Sequence, residues 1–252
     1  MNKKGRSVLW AGLCLLLSGL LSAGQAADAK PGVSGRDILW RIVDNCLKDD
    51  GGADYCRDCP VPLPSHLAAC ADSSGWDSAA RCRKTTEVWD RTKEFVALRD
   101  MKMCGCPDGF VHGLALPLRR VTGVEDPAKP AGIWRFAWDE AVKKIGVRDQ
   151  DAIVILANPR ARRTQDQLHI HLVRWADGAR RKFLDLRPVQ LKDLSEVWTA
   201  AARHAAAAGL AQDGYGVAVA HDPSGGGFLV AATAESPEKA FSAFSCSSLG
   251  HR

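Results

Sequence analysis

From Gln167 to Val173 the chain runs Gln-Leu-His-Ile-His-Leu-Val, and polar side chains alternating with aliphatic ones mark a strand with one buried face. Side chains two residues apart leave a strand on the same side. Gln167, His169 and His171 are therefore expected to face one space, roughly 7 Å apart along the strand, with the aliphatic residues filling the core behind them. Upstream, Ala152-Ile-Val-Ile-Leu-Ala157 is a continuous apolar strand, and the loop between the two carries Asn158, Arg160, Arg162, Arg163 and Thr164. Two imidazoles on a rigid strand next to a basic loop suit a site that holds a phosphate and attacks it. The sequence does not say which of the three arginines turns inward.

The rest of the chain supplies partners for this unit. Ser34 caps a helix with Ile38, Leu39, Ile42, Val43, Cys46 and Leu47 at helical spacing. Glu94–Arg99 and Gly109–Pro117 read as strands, and Cys104 and Cys106 between them suggest a hairpin with a cross-linked tip. Trp134, Ala137, Trp138, Ala141, Val142 and Ile145 follow helical spacing up to a capping Gly146, and the tryptophans are expected in the core. Leu191 to Ala208 reads as an alanine-rich helix with His204 on its surface. Tyr215–Ala220 and Gly227–Ala232 flank a turn that contains His221. This order predicts an α+β fold, an antiparallel sheet with packed helices.

The first residues follow a different pattern. Lys3, Lys4 and Arg6 precede an uncharged apolar run from Val8 to Leu21 and then small residues up to Ala27, the form of a secretory signal. Residues 1–26 are expected to be a signal peptide or an N-terminal membrane anchor, placing the protein in the periplasm or on the inner membrane. Their removal takes away three positive charges and no acidic residue, so the net charge falls from +5 to +2. A nearly balanced charge gives no support to a nucleic-acid partner. Eight cysteines then remain, from Cys46 to Cys246, and an even number in an exported chain favours disulfides. Cys46 is a reasonable partner for Cys246. The competing assignment is zinc, since Cys56 and Cys59 have metal-knuckle spacing, but Cys104 and Cys106 have only one residue between them. Residues 27–90 are thus expected to be a helix plus a disulfide-rich segment rich in Gly, Asp and Pro, with His66 in a loop. Residues 91–252 are expected to be the catalytic domain.

The motif His-φ-His-φ-φ at His169 to Val173, with φ apolar, and the earlier His112 followed by apolar residues and Pro117, resemble the histidine-triad family of nucleotide hydrolases and transferases. Gln167 stands where that family has its first histidine. Arg163-Thr-Gln-Asp-Gln-Leu-His-Ile-His171, Arg119 to Pro127 and the closing hairpin at Tyr215 resemble more closely the bacterial CDP-diacylglycerol pyrophosphatases, over roughly residues 90–250. The resemblance implies a histidine-triad-like sheet and hydrolysis of CDP-diacylglycerol to CMP and phosphatidate. It also implies that His169 is the nucleophile and forms a nucleotidyl-histidine, with His171 as the second catalytic group. His112, Asn158, Arg163, Thr164 and Gln167 are implied as substrate-binding residues, without cofactor or metal.

Three alternatives stay open. The two histidines could share a metal ion with His112 as the third ligand. The frame could bind a liponucleotide or a protein partner without turnover, or it could hydrolyse soluble nucleotide pyrophosphates. A glutamine donates a hydrogen bond but is no general acid, so Gln167 is compatible with a leaving group that needs little protonation.

Overall fold

The computed structural model describes residues 35–47, 88–103, 106, 109–243 and 246. The strands are Val88–Arg91 (β1), Phe95–Arg99 (β2), His112–Pro117 (β3), Ile153–Ala157 (β4), Ile170–Arg174 (β5), Val189–Leu191 (β6), Gly216–His221 (β7) and Phe228–Thr233 (β8). They form one sheet in the order β1-β2-β3-β5-β4-β7-β8-β6, and every pairing is antiparallel. The apolar strand β4 is buried along its whole length near the middle.

Alternation along the strands sorts side chains onto two faces. Ile153, Ile155, Ile170, Leu172, Ala115, Val217 and Val219 form one face. It is covered by two long helices, Ile133–Ile145 and Val197–Ala207. In the first of these, Ile133, Trp134, Ala137, Trp138, Ala141 and Ile145 are buried, and Gly146 ends the helix at φ 125°, a conformation that only glycine adopts without strain. Trp134 stacks edge-on against Trp198 at 4.9 Å, so these tryptophans are core as expected.

The other face holds two separate apolar clusters. Val96, Leu98, Leu114 and Leu116 pack against Ile42, Val43 and Leu47 of the N-terminal helical segment. Val154, Leu156, Val173, Ala218 and Ala220 pack against Phe183 and Phe241, which lie on the short helices Ala179–Asp185 and Pro237–Phe241. Between these two clusters the same face turns polar.

Several expectations are corrected. The histidine strand begins at Ile170 rather than Gln167, because Leu168 N–H leaves the ladder to bond Val121 O at 2.6 Å. The expected helix from Leu191 starts only at Val197. Leu191 closes β6, and Asp193 accepts a hydrogen bond from Ser195 N–H at 2.8 Å, which starts a single 3-10 turn. His204 is not on the surface but 8% exposed. Its Nε2 bonds Leu186 O at 3.0 Å and its Nδ1 accepts from Ala232 N–H at 3.2 Å, since small alanines bring the helix close to β8. His221 ends β7 and pairs with Asp151 at 2.8 Å. Cys106 is joined to Cys246, so the β2–β3 connection is tied to the C-terminal segment and Cys246 is not left for Cys46.

The expected signal or anchor segment and the cysteine-rich stretch, with Cys56, Cys59, Cys70, Cys82 and His66, lie outside the described residues. Among the described residues no helix is long and apolar enough to cross a membrane.

Candidate functional site

The polar gap is built by register. On β3 and β5, Leu114 lies opposite His171 and His112 opposite Val173, so the two histidines are diagonal neighbours on one face. Asn158 follows Leu156 by two residues, and Leu156 is the register partner of His171 on β4. Asp100 follows Leu98 by two residues, and its N–H is held by His112 O at 2.9 Å. Glu238, on the helix Pro237–Phe241, closes the gap.

The side chains meet in a connected set. Asn158 Nδ2 donates to Glu238 Oε2 at 2.8 Å and lies 3.3 Å from His171 Nε2. His171 Nδ1 lies 3.1 Å from His112 Nε2. On its other side Asn158 Oδ1 accepts from Ser236 Oγ at 2.7 Å and from Glu238 N–H at 3.4 Å. The Lys102 ammonium pairs with Glu238 Oε1. Asp100 Oδ2 and Glu238 Oε1 sit 3.6 and 3.5 Å from His112 Nε2.

His169 stands at the edge of this set, its ring edge-on to His171 at 4.8 Å. Its Nδ1 lies 2.7 Å from Gln167 O. A carbonyl only accepts, so Nδ1 carries the proton and Nε2 keeps its lone pair. Nε2 has no hydrogen-bond partner among the described residues. Exposure also favours His169, at 7% against 3% for His171 and 0% for His112.

Burial lowers the proton affinity of all three imidazoles. It pushes His112 and His169 below 6.5 and His171 well below it; nearby carboxylates, and for His169 the Gln167 carbonyl, oppose the shift only in part. Burial works to raise the Glu238 carboxyl, but attraction to His171 whenever that ring carries a proton, then the Lys102 ammonium in direct contact and His112, more than offset it and hold it below the usual carboxylate range. The site at neutral pH is thus three neutral imidazoles above a carboxylate–ammonium pair.

Stability is expected to follow from these shifts. An imidazole whose folded affinity is depressed binds protons in the unfolded chain first, so its contribution is present above pH 6.5 and lost as pH falls below that value. Glu238, also depressed, adds a further loss below its ordinary value of 4.5. The facing groups, Asp100, Lys102 and Glu238, do not reverse this direction. The melting temperature is expected to decline steadily as pH is lowered from 7 to 5; a flat profile would contradict buried neutral histidines.

The predicted substrate-binding residues separate. Gln167 does not face the gap: its Nε2 donates to Pro117 O at 3.0 Å and Arg119 O at 2.9 Å, and its Oε1 accepts from Val121 N–H at 3.3 Å. Both amide hydrogens are spent on backbone, so the side chain clamps the segment after β3. Arg163 turns inward, but onto Glu125 in a two-pronged pair at 2.6 and 2.7 Å, with Asp166 behind it at 3.2 Å. Arg36 braces Asp166 at 2.7 Å. The cleft there sets Arg36, Arg120, Arg160 and Arg163 against Asp37, Glu125, Asp166 and Asp213, so its charges balance. Asn158 is committed to Ser236, Glu238 and His171. Thr164 and Arg160 are exposed on the loop, and Arg162 lies 3.4 Å from Glu235.

Sequence patterns did not reveal Asp100, Lys102, Ser236 and Glu238. For the last two a signal existed: Ser236-Pro-Glu238 is a helix start, with serine as cap and proline in the first turn. Asp100, His112 and His171 offer ligand atoms within 4.8 Å of one another. That set could take a divalent ion, but the Lys102 ammonium on Glu238 already places a positive charge beside His112.

Gly216 on β7 supports this arrangement. A Cβ there would lie 2.7 Å from Ala157 O, 2.7 Å from Pro159 Cδ and 2.8 Å from Pro237 Cδ. The Gly216→Ala variant is expected to lose about 1–3 kcal/mol and to part Asn158 from Glu238. Its melting curve checks the first effect, and turnover relative to the parent checks the second.

Fold and site together define an α+β protein with two long helices on one sheet face and, on the other, a buried histidine centre between shorter helical segments. The chain belongs to the CDP-diacylglycerol pyrophosphatase family, whose sequence profile matches residues 34–201. Proteins named CDP-diacylglycerol pyrophosphatase from Mycobacterium bovis and Mycobacterium tuberculosis are 37% identical to it over 67 residues, which is 23% of this chain and 26% of each relative. The match thus spans about a quarter of the length of these curated relatives. The family match contains Asp100, Lys102, His112, Asn158, His169 and His171 and ends before Ser236 and Glu238.

Proposed function

We propose that the protein hydrolyses the pyrophosphate bond of CDP-diacylglycerol to CMP and phosphatidate through a nucleotidyl-histidine on His169. The observation that carries this is the fixed tautomer of His169: Nδ1–H on the Gln167 carbonyl and an unengaged Nε2 lone pair at the edge of a buried histidine cluster, in a chain of this family. Nε2 attacks the phosphorus of the cytidylyl group. The N–P bond forms as the bond to the bridging oxygen breaks, and phosphatidate leaves with the electron pair. The Gln167 carbonyl supports the positive charge that develops on the ring. Water then adds its oxygen to phosphorus and releases its proton to solvent. The N–P bond breaks, CMP departs and neutral His169 returns. Covalent catalysis splits one displacement into two, and a phosphate monoester needs little protonation on leaving.

Within this proposal the cluster is a histidine-triad site in which Gln167 replaces the first histidine and holds backbone, supported by the sequence motif at His169 and His171 and by the backbone bonds of Gln167. His171 braces the nucleophile and His112 braces His171. Asn158, Gln167 and Arg163 act by positioning, which leaves Thr164 and Arg160, exposed on the loop, as the side chains free to turn to a bound phosphate. Export by the N-terminal segment, with a membrane surface supplying the lipid substrate, completes the proposal; the form of residues 1–27 supports it.

The test is release of CMP from CDP-diacylglycerol in detergent micelles by the purified chain, with and without chelator. Release at equal rates in both is expected, because attack by a neutral imidazole nitrogen on phosphorus calls for no metal. No release with retained liponucleotide binding would make this a binding protein, and loss on chelation would move the chemistry to a metal at Asp100, His112 and His171.

A further inference from the structure

Glu238 lies beyond the family match, yet both of its carboxylate oxygens are engaged in the site. Oε1 accepts from Lys102 and Oε2 accepts from Asn158 Nδ2. A carboxylate can only accept, and Glu238 N–H, on the other side of the same amide, can only donate. Together they fix which way Asn158 points: Nδ2 toward Glu238 and His171, Oδ1 toward Ser236 and Glu238 N–H. An amide NH2 facing His171 Nε2 at 3.3 Å, with Glu238 Oε2 at 3.4 Å already taking the other amide hydrogen at 2.8 Å, favours a lone pair there. The proton of neutral His171 then sits on Nδ1 and is donated to His112 Nε2, and the His112 proton sits on Nδ1, which has no partner among the described residues.

We propose that Glu238 is a positioning residue that sets the proton position of His171 and His112 through the Asn158 amide, at the end of a one-way hydrogen-bond chain. The role concerns the hydrolysis proposed above, but the assignment itself can be read without turnover.

In the Glu238→Gln variant the side chain accepts on one side only. Lys102 demands an acceptor, so the new amide would turn its carbonyl to Lys102 and its NH2 to Asn158. Asn158 would then flip, giving up only its long 3.4 Å contact with the residue 238 N–H while the Ser236 hydroxyl turns from donor to acceptor, present Oδ1 to His171 and draw the imidazole proton to Nε2. The experiment is nitrogen NMR of the histidine rings in the 15N-labelled full chain at neutral pH. The wild type is expected to show His171 protonated at Nδ1. Glu238→Gln should move that proton to Nε2. Adding Lys102→Met to Glu238→Gln frees the glutamine carbonyl for Asn158 and should return the proton to Nδ1. His204 is the folding control in every variant, because its Nε2–H to Leu186 O and its Nδ1 to Ala232 N–H are set by the core.

In turnover, Glu238→Gln is expected to lower kcat by roughly 10- to 100-fold with KM nearly unchanged. A wild-type His171 protonated at Nε2, or a Glu238→Gln spectrum unchanged beside an intact His204 signal, would overturn the assignment. A moved proton with unchanged kcat would leave the positional assignment standing and instead contradict the role given to His171 in hydrolysis.

Discussion

Replacing His169 with alanine is expected to reduce kcat by at least about 10⁴-fold, since removal of a nucleophile from a covalent mechanism leaves only binding and electrostatics. The fold should be nearly indifferent to the change. The His169 ring is bound only to the carbonyl of Gln167, two residues away, and it is the most exposed of the three site histidines. The melting temperature should therefore stay within a few degrees of the parent. His171 differs in this respect. It joins Asn158 to His112, so His171→Ala strands buried polar groups and should lower activity and stability together. Measuring CMP release beside thermal melts for both variants separates the two roles. A His169→Ala protein that keeps more than a tenth of its activity would remove His169 from the nucleophile position.

The second large effect is expected at Gln167, and in the fold before the chemistry. Its amide satisfies Pro117 O, Arg119 O and Val121 N–H inside the protein. Gln167→Ala removes the partner of the buried Pro117 O and Val121 N–H and of the part-buried Arg119 O, at a cost of about 3 kcal/mol. For a chain of this size that is a fall in melting temperature on the order of 10 °C. Gln167→His, which writes a histidine triad back into the sequence, should not rescue or improve activity. A neutral imidazole has one N–H for two carbonyls, so one acceptor stays unpaired and the segment from Pro117 to Val121 loosens. Higher turnover in Gln167→His with an unchanged melting temperature would show that this position belongs to the reacting groups rather than to the frame.

Much of the sheet was legible because its signals are local and strong. Alternation at His169–Val173, the apolar run of β4 and the spacing that ends at Gly146 each concern one element and its buried face. The short elements β1 and β6 and the helices Ala179–Asp185 and Pro237–Phe241 carry too few residues for a period to show. Parity was enough to put His169 and His171 on one face, and the family resemblance, not the strand pattern, added His112. The partners of the polar side chains were not legible, because they depend on register and distance. Gln167 lies where the alternation would aim it at the site, but the chain leaves the ladder at Leu168 and the amide finds backbone instead. Arg163 looked like a phosphate ligand until Glu125, thirty-eight residues earlier, came to meet it. Glu238 and Lys102 are 136 residues apart and meet only in the folded chain.

The proposed hydrolysis turns on which side chain carries the cytidylyl group. The most direct measurement is a single turnover with CDP-diacylglycerol labelled in the cytidylyl phosphate, quenched in base, where a histidine N–P bond survives, and mapped by peptide mass spectrometry. One labelled peptide is expected, with the CMP adduct on His169, and none in His169→Ala. Full CMP release with no protein-bound label at any quench time, or label on a different residue, would contradict the proposal.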